Sequence, residues 1–124
     1  MDKTKLLSIG TLSKFTGVHI KSLRYYDEIG ILPPAYVDPN TGYRYYSFSQ
    51  VRVVDAIQLC VELDIPLKQF PEFTGSQYQQ IYYTRLLAKG TQLAREKIRS
   101  IQERLDFKEQ KGLSPGYEWG LLLL

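Results

Sequence analysis

At 124 residues, with 44% hydrophobic and 23% charged side chains, the chain has the size of one folded domain, or of a small core joined to a long helix, and its composition argues against wholesale disorder. A single cysteine, Cys60, excludes an internal disulfide, and His19 as the only histidine leaves a structural zinc site without enough ligands. The net charge of +3 is too small to name a partner, and with no apolar run long enough to cross a bilayer and no signal-peptide pattern, a reducing cytoplasm suits the chain best.

The distribution of charge says more than its sum. Lys3, Lys5, Lys14, Lys21 and Arg24 against Asp2 alone give residues 1–26 a balance of +4, whereas residues 27–76 carry −4 and the remainder +3. In that basic segment, Ser8 is placed to cap a helix whose apolar residues Ile9, Leu12 and Phe15 have helical spacing, and Gly17 can end it. Ile20, Leu23, Tyr26 and Ile29 predict a second short helix closed by Gly30. Two short helices joined by a tight link containing glycine form the helix-turn-helix pattern.

Pro33 and Pro34 then forbid helix. Residues 35–37 and 43–46 read as two strands around Asp38-Pro39-Asn40-Thr41-Gly42, a hairpin of the kind called a wing. Ser47 to Gln50 fits a capping box, and the helix that follows from Val51 to Leu63 is apolar on most faces, as expected of the centre of the core. Pro66 can open a short helix from Leu67 to Phe70 before Pro71. From about Gln77 to Lys111 there is no proline, and Leu87, Thr91, Ala94, Ile98, Ile101 and Leu105 follow at steps of four and three, a heptad seam. A helix of that span is about 50 Å long at 1.5 Å per residue, more than a small core can cover, so the seam calls for a partner. The fold class is therefore mainly α: a winged helix-turn-helix over 1–75, a dimerisation helix over 76–112 and a tail over 113–124.

The wording of Ile9-Gly10-Thr11-Leu12-Ser13-Lys14, Leu23-Arg24-Tyr25-Tyr26-Asp27 and Gly42-Tyr43-Arg44-Tyr45-Tyr46, in this order and spacing, resembles the N-terminal part of the MerR family over residues 8–111. The Tyr-Val-Asp-Pro wording of the hairpin is most similar to the multidrug-sensing branch. The resemblance implies a bacterial transcription regulator that binds promoter DNA as a homodimer through an antiparallel coiled coil, distorts the spacer between promoter elements and acts with RNA polymerase there. His19 and Thr11 depart from the family pattern, in which the second helix is capped by Ser or Thr and the first has an acidic capping partner; a weaker cap costs about 1 kcal/mol.

A recognition helix reads the major groove with its N-terminal half, here His19 to Tyr26. Arg24 is the leading candidate for a bidentate grip on phosphate or guanine, and Lys21 and Lys14 for neutralising phosphate. Tyr25 and Tyr26 lie about 100° apart on the helix, so they cannot share one environment: Tyr25 reaches DNA by family analogy, while Tyr26 either does so from its edge or closes the core. In the wing, Tyr43 and Tyr45, both candidate DNA contacts, share one face and Arg44 and Tyr46 the other. Arg44, the only basic residue between Arg24 and Arg52, is expected on phosphate, with pairing to Asp27 or Asp38 as the alternative; Lys68 is a further candidate contact. Cys60 reads as a small core residue.

The dozen residues after the long helix are too few to enclose a drug-sized pocket, so an effector-binding domain is expected to be absent from this chain and the inducer stays open. No catalytic triad, phosphate loop or metal cluster suggests an enzyme, and no cofactor is expected. A coiled-coil interaction module and an excisionase-like DNA bender are the competing readings.

Overall fold

The computed structural model describes residues 5–76 and 80–110. The expected tail and the outer ends of the expected domains, residues 1–4, 77–79 and 111–124, lie outside the described residues.

Helix α1 (Ile9–Thr16) starts on extended Ser8, whose Oγ accepts the Thr11 N–H at 3.1 Å. It ends on Gly17 at φ 73°, a left-handed conformation that costs an L side chain about 1–2 kcal/mol. Around that turn Ser13 Oγ donates to the Val18 carbonyl at 2.6 Å, and Thr16 Oγ1 accepts the Val18 N–H at 3.2 Å. The link is thus held by side chains on both sides, which fixes how helix α2 (Ile20–Glu28) leaves it. His19 caps α2 with its ring: Nδ1 accepts the Lys21 N–H at 3.0 Å, doing the work of the absent hydroxyl.

Strands β2 (Tyr36–Val37) and β3 (Arg44–Tyr46) form the wing close to the expected bounds. Asp38 is buried and its Oδ1 accepts the N–H groups of Asn40 and Thr41 at 2.8 and 3.3 Å, while the Gly42 N–H closes the turn on the Asp38 carbonyl. A third strand was not anticipated. β1 (Leu7–Ser8) pairs antiparallel with β3, giving the order β1-β3-β2 with Leu7 opposite Tyr46 and Ser8 opposite Tyr45. A two-residue strand has no alternation to detect, which is why sequence periodicity missed it.

Helix α3 (Gln50–Glu62) lies at the centre, burying Val53, Val54, Ala56, Ile57 and Cys60 against Leu12, Leu23, Tyr46 and Phe70. Half of the expected capping box forms: Gln50 Oε1 accepts the Ser47 N–H at 2.9 Å, but the Ser47 hydroxyl meets Ser49 Oγ at 2.8 Å instead of a helix donor. The next element is a 3-10 segment (Leu67–Phe73) that runs through Pro71 where the sequence suggested a stop. Phe70 and Phe73, three residues apart as 3-10 geometry requires for one face, are both buried and carry the turn across the proline.

The long helix α4 (Tyr83–Gln110) begins six residues later than expected. Thr74 bridges Ile81, Gly75 N–H donates to the Gln80 carbonyl at 2.8 Å and Tyr82 N–H to the Phe73 carbonyl at 2.7 Å, so residues 80–82 pair with residues 73–75 at the end of the 3-10 segment rather than forming a first helical turn. The remaining 28 residues still extend about 42 Å at 1.5 Å per residue. The first turns join the core through Leu86, and everything from Ala94 to Gln110 is exposed.

Candidate nucleic-acid interface

The fixed link between α1 and α2, and the pairing of β3 between two other strands, bring the recognition helix and the wing side by side. Between them lies a hollow of about 280 Å³ lined by Ser8, Ile9, Arg24, Tyr43, Arg44 and Tyr45, together with Gly42. Four of the candidates read from the sequence therefore converge at one place, although Arg24 and Arg44 are 20 positions apart. Ser8 and Ile9 have no such signal in the sequence; Ser8 reaches the hollow through β1, whose register sets it against Tyr45, and Ile9 as the first residue of α1.

Arg44 makes the alternative contact weighed for it: Nε donates to Asp27 Oδ2 at 2.8 Å. The pair ties the wing to the last turn of α2. With the Arg44 side chain still 45% exposed, it is worth no more than about 1 kcal/mol in stability, and a phosphate can still approach the guanidinium. Arg44 and Tyr46 face the same side of β3, as strand alternation requires, and Tyr46 continues inward until it is fully buried. Its hydroxyl has no hydrogen-bond partner among the described residues. Burial pushes the phenol pKa up, nearby Asp27 adds to the rise, and Arg44 and Arg24 oppose it, so the ring ends beneath the charged cluster and stays neutral.

The adjacent tyrosines of α2 separate as helical geometry demands. Tyr25 is half exposed, whereas Tyr26 is buried and its hydroxyl accepts Gln58 Nε2 from α3 at 2.8 Å. Tyr26 thus takes the core place that was one of its two alternatives, and its hydroxyl holds α2 onto α3. Tyr45 is partly buried, with its ring 6.1 Å from that of Tyr36 across the hairpin, and Tyr43 is exposed. Lys14, His19 and Lys21 are exposed on or beside the helix-turn-helix, and Lys68 is exposed on the 3-10 segment; none of these four lines the hollow.

A second surface lies along α4. Leu87, Ile98, Ile101 and Leu105 are each about half exposed or more, and Thr91 and Ala94 between them are exposed as well. Thr91 Oγ1 donates to the Leu87 carbonyl at 2.8 Å, which satisfies the hydroxyl within the helix and removes a polar demand from the seam. Cys60 is fully buried, and burial raises its thiol pKa to about 11, as suits a packed side chain rather than a reactive one. Among the described residues no group of His, Cys, Asp or Glu is arranged to hold a metal, and no helix is long and apolar enough to cross a membrane.

Residues 8–46, which hold the helix-turn-helix and the wing, match the family model for the MerR family regulatory protein. Over 107 residues the chain is 38% identical to the multidrug-efflux transporter 1 regulator of Bacillus subtilis (strain 168), a match covering 85% of this chain and 34% of that protein. The chain thus spans about a third of the length of that curated relative. The same fold occurs in the N-terminal part of the Bacillus subtilis multidrug transporter activator, MtaN, with a TM-score of 0.68 at 21% identity, covering 86% of this chain and 98% of that one. EcmrR, in a cryo-EM structure of its DNA complex, superposes with a TM-score of 0.60 at 27% identity over 83% of this chain and 40% of that one. With its recognition helix, wing and long helix in the family's order, the chain carries the N-terminal region of a MerR family regulator.

Proposed function

We propose that this chain is the DNA-reading and dimerising part of a transcription regulator that binds double-stranded promoter DNA as a homodimer. The observation that carries the reading is the meeting of Arg24 from the recognition helix and Arg44 from the wing at one hollow, within the segment that matches the family model. Two guanidiniums on adjacent elements can grip the phosphates that flank a groove while Tyr25, half exposed on α2, reaches the same duplex. The relative EcmrR has been seen in complex with DNA, which supports the same use of this fold here.

Dimerisation through the exposed Leu87–Leu105 seam follows from the same economy. Apolar groups at heptad spacing on a helix that extends beyond its own core gain most by pairing with a second copy. A dimer places two reading heads on one duplex, and bending or untwisting the spacer between promoter elements, at a cost of several kcal/mol repaid by backbone contacts, is the action on RNA polymerase that fits. A fluorescence anisotropy titration against a duplex carrying the inverted repeat nearest its own gene tests the reading. Arg24→Ala is expected to weaken binding by about 1–3 kcal/mol and relax sequence preference, and Arg44→Ala to weaken binding about equally for all sequences. Unchanged affinity in both variants would contradict it.

A further inference from the structure

Helix α4 carries two apolar stripes, not one. Leu86, Gly90 and Leu93 follow at steps of four and three, with Lys97 four residues on; Leu86 and Gly90 are buried, Leu93 packs against the core, and Lys97 meets Asp64 at 3.4 Å. The exposed seam of Leu87, Thr91, Ala94 and Ile98 repeats the same steps one residue later, about 100° around the helix. Whatever sets the inner stripe on its own head therefore also aims the outer seam.

The tightest point of the inner stripe is Gly90. A methyl group at this position would sit 2.7 Å from Leu63 Cδ1 and 3.2 Å from Leu63 Cβ and Cγ, so a side chain here must turn the Leu63 tip aside and still push α4 outward from the end of α3. We infer that the Gly90–Leu63 contact is a positioning joint that sets the angle between the reading head and the dimerisation helix, and with it the separation of the two heads on DNA. Leu63 is the residue at which α3 ends, it packs against the core, and Asp64 beside it has φ 59°, so the chain turns away directly after the contact.

The size of the effect follows from lever geometry. Relieving the contact with Leu63 Cβ and Cγ needs roughly 0.5 Å of separation, and with buried Leu86 held in the core about 6 Å back along α4 that is a tilt of roughly 5°. From Gly90 to Gln110 the helix runs about 30 Å, so its far end swings by roughly 3 Å, close to the 3.4 Å rise of one base pair.

This inference rests on the proposed dimer. The test uses the full chain with Cys60→Ala and a spin label at Asn40→Cys in the exposed wing turn, compared with the same chain carrying Gly90→Ala, and Gly90→Ala with Leu63→Ala. Two measurements are made: the label-to-label distance within the dimer by pulsed electron resonance, and the preferred half-site spacing over a duplex series by anisotropy. Gly90→Ala is expected to keep the dimer in sedimentation, to move the label distance by about 3 Å or more, and to shift the preferred spacing by about one base pair; trimming Leu63 is expected to restore both. A dimer whose label distance is the same in Gly90→Ala, or one that Leu63→Ala fails to restore, overturns the joint while leaving the regulator reading intact. A monomer in sedimentation for the parent chain overturns both, and a dimer with no affinity for any duplex overturns the regulator reading while the label distance still decides the joint.

Discussion

Tyr46 is fully buried near Asp27, Arg24 and Arg44, and its hydroxyl finds no hydrogen-bond partner among the described residues. An unsatisfied buried hydroxyl costs about 1–3 kcal/mol, so Tyr46→Phe, which keeps the ring, is expected to leave thermal stability unchanged or raise it. A fall in melting temperature would mean the hydroxyl has a bound partner after all. Burial also predicts a pH dependence. The Cys60 thiol rises from its ordinary 9.0 to about 11, and the Tyr46 phenol rises from 10.0. Above pH 9 the unfolded thiol ionises while the folded one stays protonated, so its contribution is fully present below pH 9 and is lost as the pH rises toward 11. Melting temperature is expected to fall over that range, and Cys60→Ala to reduce the slope; equal slopes in the two proteins would contradict the assignment. Arg24 and Arg44 were legible as candidates because each stands in a distinctive pattern. That Arg44 would share itself with Asp27 was readable only as one of two options, since the choice depends on the distance between α2 and β3.

At the scale of elements, the helix-turn-helix was the most legible part, because Ser8 and Gly17 are local signals that tertiary structure had no reason to override. The third strand and the late start of α4 were not legible, because β1 is too short to alternate and because both depend on backbone pairing that side-chain patterns do not encode. Tyr82 donates to Phe73 across a local bridge and Leu7 pairs with Tyr46 far along the chain. The spacing of the seam was readable because a heptad pattern needs only its own steps, and the structure leaves its residues exposed, whereas the second stripe, through Gly90, becomes visible only once the core is packed. Ile101→Asp places a charge in the seam on a stretch of α4 that is exposed throughout. It is expected to leave the helical signal and the melting of the head nearly unchanged while weakening self-association tenfold or more, read by sedimentation over a concentration series. Loss of head stability instead would show that this face of the helix serves the chain's own core.

For the whole molecule, the division is between a head that packs around α3 and a helix that projects beyond it. The head carries exposed basic side chains on α1, α2 and the wing, of which Arg24 and Arg44 meet at one hollow, while the projecting helix carries alternating charge around an apolar seam. Composition alone hid this, because a net charge of +3 averages a basic front, an acidic middle and a mixed helix. A protein that grips DNA mainly through phosphate must release counterions as it binds, and that release is directly measurable. The decisive measurement is the anisotropy titration repeated between about 50 and 200 mM salt: with several phosphates neutralised by each head of a dimer, affinity is expected to fall by about 10³-fold or more across that range. Binding that is flat with salt, or absent at the lowest salt, would contradict the assignment of this surface to DNA.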